Sequence, residues 1–384
     1  MNILIYENST GFSSYSYKLC NGLIEKDTTD VIFYMTGKSN KYLSDIDKRI
    51  NVIPILKAPN PSIKSGFRWI VDRLYVGLAN IVIRNRFVRK NSIDLLNVQS
   101  TLPIIDQFFL RRLVKKTHCV LTVHDVIPPI KSYYWSYASL KKIYDVFPRL
   151  IVHSQENKNE LIEKFGVSDD KISVIHHGTD TRFCEIPREN CLDRLKIKLD
   201  DRKIFLFFGL IREQKGLDLF IEAINLLNSK SPVCMGIIAG AMPRGESFEK
   251  YNELIKNKDD FVCLIEYIDE EMVDYLFQAA DAVVFPYKYF SSQSGVFMQS
   301  IKYRKPIIAT DVSSFRQYIE MYCIGKVTDK INSESLSKSM LDFININSQD
   351  SEKIKKGLEQ AAHDNSWERA AELYKREYTV SIHR

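Results

Sequence analysis

The sequence predicts an α/β protein built from two Rossmann-like domains of similar size, and three observations lead to this prediction. Short apolar segments alternate with helical patterns along both halves of the chain, which is typical of βα units around a parallel sheet. The chain has 384 residues, enough for two domains of roughly 150–200 residues with separate cores. Apolar residues make up 45% and charged residues 27% of the sequence, as is ordinary for a soluble globular protein.

The first half of the chain contains short apolar segments that we expect to be strands. They are residues 2–6, 31–35, 51–55, 94–98, 119–123, 150–153 and 172–175. The first of these strands leads into the segment STGFSSYSYKLCNGL, in which Gly11 opens a helix.

The second half of the chain repeats this layout. Its expected strands are residues 204–208, 233–239, 261–265, 282–285 and 306–310. The helix over residues 216–228 has one apolar face, formed by Leu217, Phe220, Ile221, Ile224 and Leu227. Two Rossmann-like halves predict a cleft between them, where open α/β sheets bind their ligands.

The sequence argues against secreted, zinc-binding and membrane-spanning proteins. Its seven cysteines form no CxxC pair and no Cys/His spacing of a zinc site, and such an unpatterned set suits a reducing cytoplasm. The segment MNILIYEN is a strand pattern rather than a signal peptide. The longest apolar stretch, residues 74–83, is closed by Arg73 and Arg84, so it is shorter than the ~18–20 residues that span a bilayer. We therefore expect a cytoplasmic protein.

Positive charge is concentrated between residues 57 and 119. This segment contains twelve Lys and Arg against three Asp, a net charge of +9, so the rest of the chain sums to −3. Aromatic residues are interleaved with the basic ones: Phe67, Trp69, Tyr75, Phe87, Phe108 and Phe109. The mixture fits an anionic membrane surface or an anionic lipid-linked molecule; without a nucleic-acid-binding motif, we expect no nucleic-acid partner. The alternative is a solvated basic face whose aromatic residues point into the core.

Residues 204–216 are the most informative segment for function. A buried strand is followed by Gly209, by the cations Arg212 and Lys215, and by Gly216 at the start of a helix. Arg offers a planar fork of donors, Lys a point charge, and glycine a close approach of the backbone, a combination suited to a diphosphate. The alternative is a surface loop whose two cations are solvated.

Four segments resemble parts of a known family. Residues 205–227 and 280–311 resemble the donor-binding half of the family 4 glycosyltransferases, the large retaining family with the GT-B fold. The segment VIHHGTDTRF, residues 174–183, resembles the closing strand of the family's first domain, and NSWERAAELYKREY, residues 365–378, resembles its last helix. The resemblance covers the chain almost end to end and is weak over residues 37–115.

The GT-B resemblance implies two Rossmann-like domains that face each other across a cleft, with a C-terminal helix that crosses back to the first domain. The expected divisions are residues 1–185 for an acceptor-binding domain, 186–364 for a nucleotide-sugar-binding domain, and 365–384 for the crossing helix. The hinge is expected near residues 183–199, where turn residues give way to a charged segment.

The resemblance implies phosphate-binding roles in the second domain. Arg212 and Lys215 would neutralise the leaving diphosphate, on which charge grows as the sugar becomes oxocarbenium-like. The N–H groups of Ser294, Gly295 and Val296, at the start of a helix, would face the same phosphates. The alternative for this second group is a buried helix start with capping serines.

The sequence departs from the family at two positions. The family has Glu at both ends of the window 291–299, where this chain has Ser291 and Gln299. Gln299 can still hold the ribose hydroxyls, because an amide both donates and accepts hydrogen bonds. Ser291 is shorter than the Glu that contacts the donor sugar and carries no charge, so Gln293 or Ser294 is the expected substitute.

Three further places match family positions. His124, in LTVHDVIPP at a strand end, matches a His that contacts the donor sugar near the reacting centre, although a lone His is more often structural. Tyr267 and Ile268 match the position that flanks the nucleotide base. Gly11 and Phe12 match the glycine loop of the first domain, although the family's second glycine is missing.

We expect neither a metal nor a cofactor. Asp45 and Asp47 are spaced like the metal-binding pair of the other glycosyltransferase fold, but they lie in the polar stretch KYLSDIDKR rather than at a strand end. Neither GxxxxGK nor GxGxxG occurs, so kinase and dehydrogenase hypotheses lack support.

The leading hypothesis is a retaining, metal-independent glycosyltransferase that moves a hexose from a nucleotide diphosphate sugar to a saccharide acceptor. The acceptor would be lipid-linked and built at the cytoplasmic face of a bacterial membrane, in surface polysaccharide assembly. Two alternatives stay open. One is a non-catalytic partner protein, suggested by the two missing Glu residues; the other is a nucleotide-sugar epimerase of the same fold.

Overall fold

The computed structural model describes most of the chain, and the chain divides into two compact units. The described residues are 1–8, 12–24, 29–63, 65–128, 135–198, 201–289, 294–312 and 314–383. Gly11, Ser291 and Gln293, which the family resemblance implicates in binding, lie outside the described residues. One unit consists of Met1–Gly178 with Trp367–Arg384, and the other of Thr179–Ser366. The divisions thus fall at residues 178 and 366, compared with the expected 185 and 364.

The described part of the first unit contains a seven-stranded parallel sheet. Its strands are β1 (Asn2–Tyr6), β2 (Val31–Gly37), β3 (Asn51–Leu56), β4 (Leu95–Val98), β5 (His118–Val123), β6 (Arg149–Val152) and β7 (Ile172–Val174). They lie in the order β3-β2-β1-β4-β5-β6-β7. Ile3 of β1 lies opposite Ile32 of β2 on one side and Leu95 of β4 on the other. The strand order therefore reverses between β1 and β4, where such sheets bind ligands at their carboxyl edge.

Helices follow most of these strands. They are α1 (Ser13–Ile24), α2 (Gly66–Lys90), α3 (Pro103–Val114), α4 (Tyr137–Val146) and α5 (Gln155–Phe165). Local sequence explains several of their ends. The Ser154 hydroxyl accepts a hydrogen bond from Asn157 N–H and begins α5, while Gly166, with φ of 67°, ends it. Pro103 begins α3, where its missing N–H has no intrahelical partner to lose.

The second unit is built in the same way around a six-stranded parallel sheet. Its strands are β8 (Lys203–Phe208), β9 (Cys234–Ala239), β10 (Phe261–Leu264), β11 (Ala282–Phe285), β12 (Ile307–Ala309) and β13 (Gly325–Val327), in the order β10-β9-β8-β11-β12-β13. Its described helices are α6 (Arg188–Arg194), α7 (Leu217–Leu227), α8 (Glu249–Asn252), α9 (Glu270–Ala279), α10 (Gly295–Lys302), α11 (Phe315–Tyr322), α12 (Ser333–Ile344) and α13 (Ser348–Asp364). Here the strand order reverses between β8 and β11.

The last helix, α14 (Trp367–His383), belongs to the first unit, as expected for the crossing helix. It packs against α1 closely enough that a Cβ atom on Gly22 would lie 2.7 Å from the carbonyl oxygen of Trp367. Tyr374 and Tyr378 of α14 are fully buried in the same apolar core. The hydroxyl of Tyr374 lies 2.8 Å from that of Tyr15 in α1. The two-domain α/β architecture and the returning helix are thus confirmed.

The expected strands are all present, with small shifts at their ends, but β13 was not predicted. This strand is three residues long, lies at the edge of the sheet and pairs with β12 alone among described strands. Its sequence, Gly-Lys-Val, contains no apolar run, so a hydrophobic pattern could not reveal it. A Cβ atom on Gly325 would lie 1.8 Å from the carbonyl oxygen of Ile307, so β13 depends on the absence of a side chain there.

The basic segment exposes some of its aromatic residues and buries others. Phe67, Tyr75 and Phe108 are 80%, 58% and 71% exposed, so the interpretation that the aromatic residues point into the core is wrong for these three. Phe87, by contrast, packs against the core. Arg84 is fully buried and bonds the Asp106 carboxylate at 3.0 Å, so it joins α2 to α3 and adds no charge to the surface. No described helix is long and apolar enough to cross a membrane.

Candidate functional site

The carboxyl ends of β8 and β11 lie side by side at the centre of the second sheet. The chain leaving β8 passes through Gly209 to Arg212 and Lys215, and the chain leaving β11 passes through Tyr287 toward α10. Both connections begin where the strand order reverses, which is the usual ligand site of open α/β sheets.

Two glycines shape the loop after β8. Gly209 has φ of 107°, and a Cβ atom on it would lie 3.0 Å from Lys215 Nζ and 3.3 Å from Val296 Cγ2. Gly216 has φ of 65°, and a Cβ atom there would lie 1.9 Å from the carbonyl oxygen of Pro286. The glycines therefore let the Lys215 ammonium group lie over the end of β8, next to the start of α10.

Lys215 is held in an environment that opposes its charge. Loss of contact with water, and secondarily the positive charge of Arg212, lowers the pKa of Lys215 to about 8. Its Nζ lies 5.5 Å from the ring centre of Tyr287, and burial raises the pKa of that phenol to about 12. Both cations are partly buried, unlike the freely solvated cations of the alternative surface-loop interpretation.

Neither Arg212 nor Lys215 forms a salt bridge with any residue that the structure describes. Nearby Lys288, in contrast, bonds the Asp218 carboxylate at 2.6 Å. Two cations at a strand end that form no described salt bridge, even though the exposed Glu213 lies between them in sequence, make a favourable place for an anion.

Ser294 begins α10, and its hydroxyl accepts a hydrogen bond from Phe297 N–H at 3.4 Å. The hydroxyl is buried and also lies 3.5 Å from that of Tyr287. The side chain of Ser294 therefore caps the helix, as the structural alternative predicted. The backbone N–H groups of Gly295 and Val296 are in the first turn, where a helix has no partners of its own for them. The side chains of Val296 and Lys215 both lie beside Gly209, so the start of α10 and the cation belong to one site.

The remaining second-unit candidates lie on α10 and in the connection after β10. Gln299 is on α10, partly exposed, one turn after Gly295. Tyr267 follows β10 and is largely exposed, while Ile268 beside it packs against the core. An exposed phenol ring next to an anchored aliphatic residue is compatible with stacking on a flat ligand.

In the first unit, His124 directly follows β5 at the carboxyl edge of the sheet. Its ring stacks on Phe12 with a centroid distance of 4.0 Å and an interplanar angle of 10°. Its Nε2 lies 3.1 Å from the side-chain oxygen of Gln99, which follows β4. The structure thus brings together His124 and Phe12, two residues predicted from the sequence, and adds Gln99.

A cavity of about 290 Å³ opens beside His124, at the carboxyl edge of the first sheet. Polar groups of Asn8, Gln99 and Asp125 share its wall with the aromatic ring of Trp135. Polar groups beside an aromatic ring are what a sugar ring requires, because its hydroxyls need hydrogen bonds and its C–H face packs on aromatic rings.

Two family models match almost the whole chain. The model described as Glycosyltransferase Family 4 matches residues 10–183, and the model described as Glycosyl transferases group 1 matches residues 192–362. The chain belongs to the family 4 glycosyltransferases. It is an enzyme of the GT-B fold class, as the sequence predicted.

Curated relatives of this glycosyltransferase act on varied molecules. It is 27% identical over 147 residues to the α-D-kanosaminyltransferase of Streptomyces kanamyceticus, a match that spans 38% of each chain. It is 24% identical over 239 residues to the processive diacylglycerol α-glucosyltransferase of Acholeplasma laidlawii, spanning 59% of this chain and 70% of the relative.

Solved structures resemble the glycosyltransferase over its full length. A glycosyltransferase from Rickettsia africae superposes with a TM-score of 0.76 at 17% identity, covering 99% of this chain and 98% of the other. HepE of Anabaena, solved in complex with UDP, superposes with a TM-score of 0.69 at 15% identity, covering 99% of both chains. Because these sequence identities are low, the structural similarity establishes the shared fold alone.

Three residues that stand at strand ends in one unit or the other were not singled out from the sequence. Gln99, His153 and Tyr287 each stand immediately or shortly after a strand, at the carboxyl edges of β4, β6 and β11. The signal that led to His124, a polar or aromatic side chain at the end of a buried strand, applies equally to these three. Extending that rule to every strand end would have found them.

Proposed function

We propose that this glycosyltransferase moves a hexose from a nucleotide diphosphate sugar to a saccharide acceptor, with retention at the anomeric carbon. The observation that carries this proposal is the anion site of Arg212, Lys215 and the first turn of α10. Its cations have no described carboxylate partner, and its position is where α/β sheets bind ligands. A diphosphate fits because it offers several oxygens to a fork, a point charge and backbone N–H groups at once.

The proposed reaction exchanges one bond at the anomeric carbon for another. The bond from the sugar to the diphosphate oxygen breaks, and a bond from the sugar to the acceptor oxygen forms on the same face. The acceptor proton passes to the leaving phosphate oxygen. Negative charge grows on the diphosphate as the sugar becomes oxocarbenium-like, so Arg212 and Lys215 stabilise the transition state more than the bound donor. No divalent metal is required by this arrangement, since two cations and a helix start supply the positive charge.

The other donor contacts are proposed from family positions together with the structure. Gln299 would hold the ribose hydroxyls, and Tyr267 with Ile268 would flank the base. His124, stacked on Phe12, would contact the sugar. Because the Ser294 hydroxyl caps α10, the sugar contact made by Glu elsewhere in the family would pass to the segment of Ser291 and Gln293 rather than to the side chain of Ser294.

The acceptor is proposed to be lipid-linked, and the exposed face of α2 supports this. Five apolar residues recur at intervals of three or four along the helix and are all exposed: Phe67, Val71, Tyr75, Leu78 and Val82. Intervals of three and four place them in one stripe along a 25-residue helix. An exposed stripe of this size is unusual for a surface that meets only water.

Exposed basic residues accompany this stripe, which we call the α2 stripe, on α2 itself and on α3, which packs against α2. Arg68, Arg86, Arg89 and Lys90 of α2 are exposed, and so are Arg111, Arg112, Lys115 and Lys116 around the end of α3. An apolar face flanked by cations matches the boundary between acyl chains and anionic headgroups. Self-association through the stripe is less favourable, because it would bring these cations together. We therefore propose peripheral binding to the cytoplasmic face of an anionic bacterial membrane during surface polysaccharide assembly.

The test begins with nucleotide sugars and the whole protein. Ligands that bind the folded state raise the melting temperature by mass action, so a thermal-shift screen should identify the donor. Release of the nucleoside diphosphate is then measured with and without a membrane extract as acceptor. Turnover that needs the extract supports the proposal. Turnover without it favours the epimerase hypothesis, and binding without any turnover favours the non-catalytic partner.

A further inference from the structure

Two histidines from neighbouring strands are hydrogen-bonded beneath the first-unit cavity. His124 follows β5, His153 follows β6, and Nε2 of His153 lies 3.2 Å from Nδ1 of His124. At one end of the pair, His153 Nδ1 lies 2.9 Å from the carbonyl oxygen of Ile175. At the other end, His124 Nε2 faces the side-chain amide of Gln99 at 3.1 Å. Gln99 and His153 are 1% and 2% exposed, so water does not substitute for these partners.

The carbonyl group of Ile175, at one end of this series of hydrogen bonds, determines which ring nitrogens carry protons. The Ile175 carbonyl can only accept, so His153 Nδ1 has to carry a proton. A neutral His153 then has a lone pair at Nε2, and His124 Nδ1 has to donate to it. A neutral His124 is left with a lone pair at Nε2, which accepts a hydrogen bond from the amide nitrogen of Gln99.

This assignment requires the Gln99 amide to be turned over, with its nitrogen toward His124. The neighbouring groups permit that orientation. Asn97 and Thr122 contact Gln99 at 3.1 and 3.3 Å, and the Tyr378 hydroxyl lies 2.6 Å from Asn97. When the Asn97 amide turns over as well, every one of these contacts still joins a donor to an acceptor, because a hydroxyl can serve as either.

Both rings are neutral at physiological pH. Burial, followed by the neighbouring His177, lowers the pKa of His153 to about 3. Burial, followed by the His153 and His177 rings, holds the pKa of His124 well below its usual value. Tyr15 also packs against both rings, and His176 Nδ1 bonds the carbonyl oxygen of His153. These neighbours bring no negative charge that would favour an imidazolium.

We propose that His153 is a positioning residue that keeps His124 in its Nδ1–H form and so makes His124 Nε2 a hydrogen-bond acceptor. This inference rests on the proposed function only for the role of His124 beside the donor sugar. A sugar hydroxyl can take the place of the Gln99 amide as donor to Nε2, whereas a carbonyl or carboxylate oxygen would be repelled there. The site accordingly selects a hydroxyl at the ligand atom nearest to His124.

A pair of substitutions at one position separates this role from simple packing. His153→Gln can place an amide oxygen where Nε2 was and still accept from His124. His153→Asn reaches only as far as Nδ1, so it keeps the contact with Ile175 and loses the one with His124. If His153 only supports the backbone, Asn should be the better replacement; if it sets the ring protons of His124, Gln should be.

The ring protons are read directly by ¹⁵N NMR of protein labelled at histidine, with His124→Asn used to identify the His124 signals. Wild type and His153→Gln should show His124 protonated at Nδ1, and His153→Asn should shift it toward Nε2–H. Turnover should fall roughly tenfold in His153→Asn, the factor that corresponds to one lost hydrogen bond, and less in His153→Gln. The KM for donor should change less than kcat.

The inference is overturned if wild-type His124 carries its proton at Nε2, or if Asn preserves both the proton position and turnover while Gln does not. Gln99→Glu is a second probe that leaves His153 intact, which matters if the His153 variants do not fold. A carboxylate at that position only accepts, so it should move the His124 proton to Nε2 and lower turnover. If wild type turns over no donor, the proposed function fails, but the NMR measurement still decides the inference.

Discussion

At the scale of single residues, Arg212 and Lys215 carry the proposed chemistry. In the proposed mechanism, each directs positive charge at a diphosphate whose own charge grows in the transition state. Removing one such group typically costs about 3–4 kcal/mol of transition-state stabilisation, or roughly 100- to 1000-fold in rate. A ground-state contact with a charged group is worth less, about 1.5–3 kcal/mol. In Arg212→Ala and Lys215→Ala, kcat should therefore fall more than donor affinity, as measured by steady-state kinetics and calorimetry.

Lys230→Ala is the matched control for this prediction. Lys230 is an exposed cation shortly after the C-terminal end of α7, at the opposite end of that helix from the anion site. It should bind and turn over donor as wild type does. Wild-type kinetics in both Arg212→Ala and Lys215→Ala would place the diphosphate elsewhere and remove the basis of the proposed mechanism.

The lowered pKa of Lys215 predicts how donor binding depends on pH. Free enzyme loses the Lys215 proton as pH rises through about 8, whereas a bound diphosphate would retain it. Donor affinity should therefore be constant below about pH 8 and weaken above it. Lys215→Arg, which keeps its charge at higher pH, should remove most of this loss. Calorimetric titrations at a series of pH values provide the measurement, and an unchanged pH dependence in Lys215→Arg would contradict the assignment.

The same pKa has a consequence for the stability of the ligand-free protein. A folded-state pKa of about 8 lies below the ~10.4 of an unfolded Lys, so the unfolded chain binds more protons between these values. The Lys215 contribution to the free energy of unfolding therefore rises with pH in this range. Lys215→Met should lack that rise and should not lower the melting temperature without ligand. Keeping the charged Lys215 side chain partly buried therefore lowers the free energy of unfolding, as is common at functional sites.

At the scale of elements, helix α2 has one side that packs in the core and one side that is exposed. One side of the helix buries Val76, Ile81 and Val88, while the α2 stripe on the other side is exposed. The sequence showed that this segment is basic and aromatic. Which of its residues are buried and which are exposed becomes clear only from the packing of the helix in the structure.

The α2 stripe and its cations predict salt-sensitive binding to anionic vesicles. Cations near an anionic surface contribute about 1 kcal/mol each, and the attraction is screened within ~8 Å at physiological salt. Reversing Arg111, Arg112, Lys115 and Lys116 to Glu should lower the affinity for anionic vesicles by more than roughly 100-fold. Co-sedimentation with the vesicles provides the measurement. The double variant Phe67→Ser and Tyr75→Ser should weaken binding at high salt as well, because it removes apolar contact.

Exposed apolar residues of the second unit supply the control. Leu226→Ser and Met321→Ser remove similar side chains from other surfaces and should leave vesicle binding unchanged. Equal binding to neutral and anionic vesicles, or binding to neither, would argue against the membrane proposal. A concentration-dependent dimer that the Phe67→Ser and Tyr75→Ser changes abolish would instead identify the α2 stripe as a contact between copies of the chain.

Trp367, at the start of α14, connects distant parts of the first unit. Its ring is buried against Gly178, where a Cβ atom would lie 2.4 Å from it, and it packs edge-on to Tyr15 at 5.0 Å between ring centres. Truncating a buried Trp to Ala typically costs about 3–5 kcal/mol, so Trp367→Ala should lower the free energy of unfolding by that amount. Chemical denaturation provides the measurement. Exposed Arg376→Ala, on the same helix, is the control, and equal effects of the two changes would contradict the assigned packing.

At the scale of the whole molecule, the proposed mechanism predicts that turnover does not depend on a divalent metal ion. In the proposed mechanism, Arg212, Lys215 and the start of α10 supply the positive charge for the leaving group. Turnover should therefore persist in EDTA and should not be restored or increased by Mg²⁺ or Mn²⁺. Loss of turnover in EDTA with recovery on adding either ion would show that the cations of the chain are insufficient, and the mechanism would have to be revised.

The sequence by itself determined the two-sheet architecture, because buried parallel strands leave continuous apolar runs that are readable without a partner. It also placed Arg212 and Lys215, since the strand, the glycines and the cations of that loop are contiguous. β13 was missed because an edge strand of three residues needs no apolar run and is held by the Gly325 contact with β12.

Tertiary structure alone decided the features that depend on residues far apart in the chain. The pKa of Lys215 follows from burial between Gly209, Tyr287 and Val296, which come from three separate segments. The protonation of His124 follows from a partner on the next strand and a carbonyl group beyond it. A local pattern records which residues are present, whereas desolvation and hydrogen bonding depend on which of them meet when the sheet assembles.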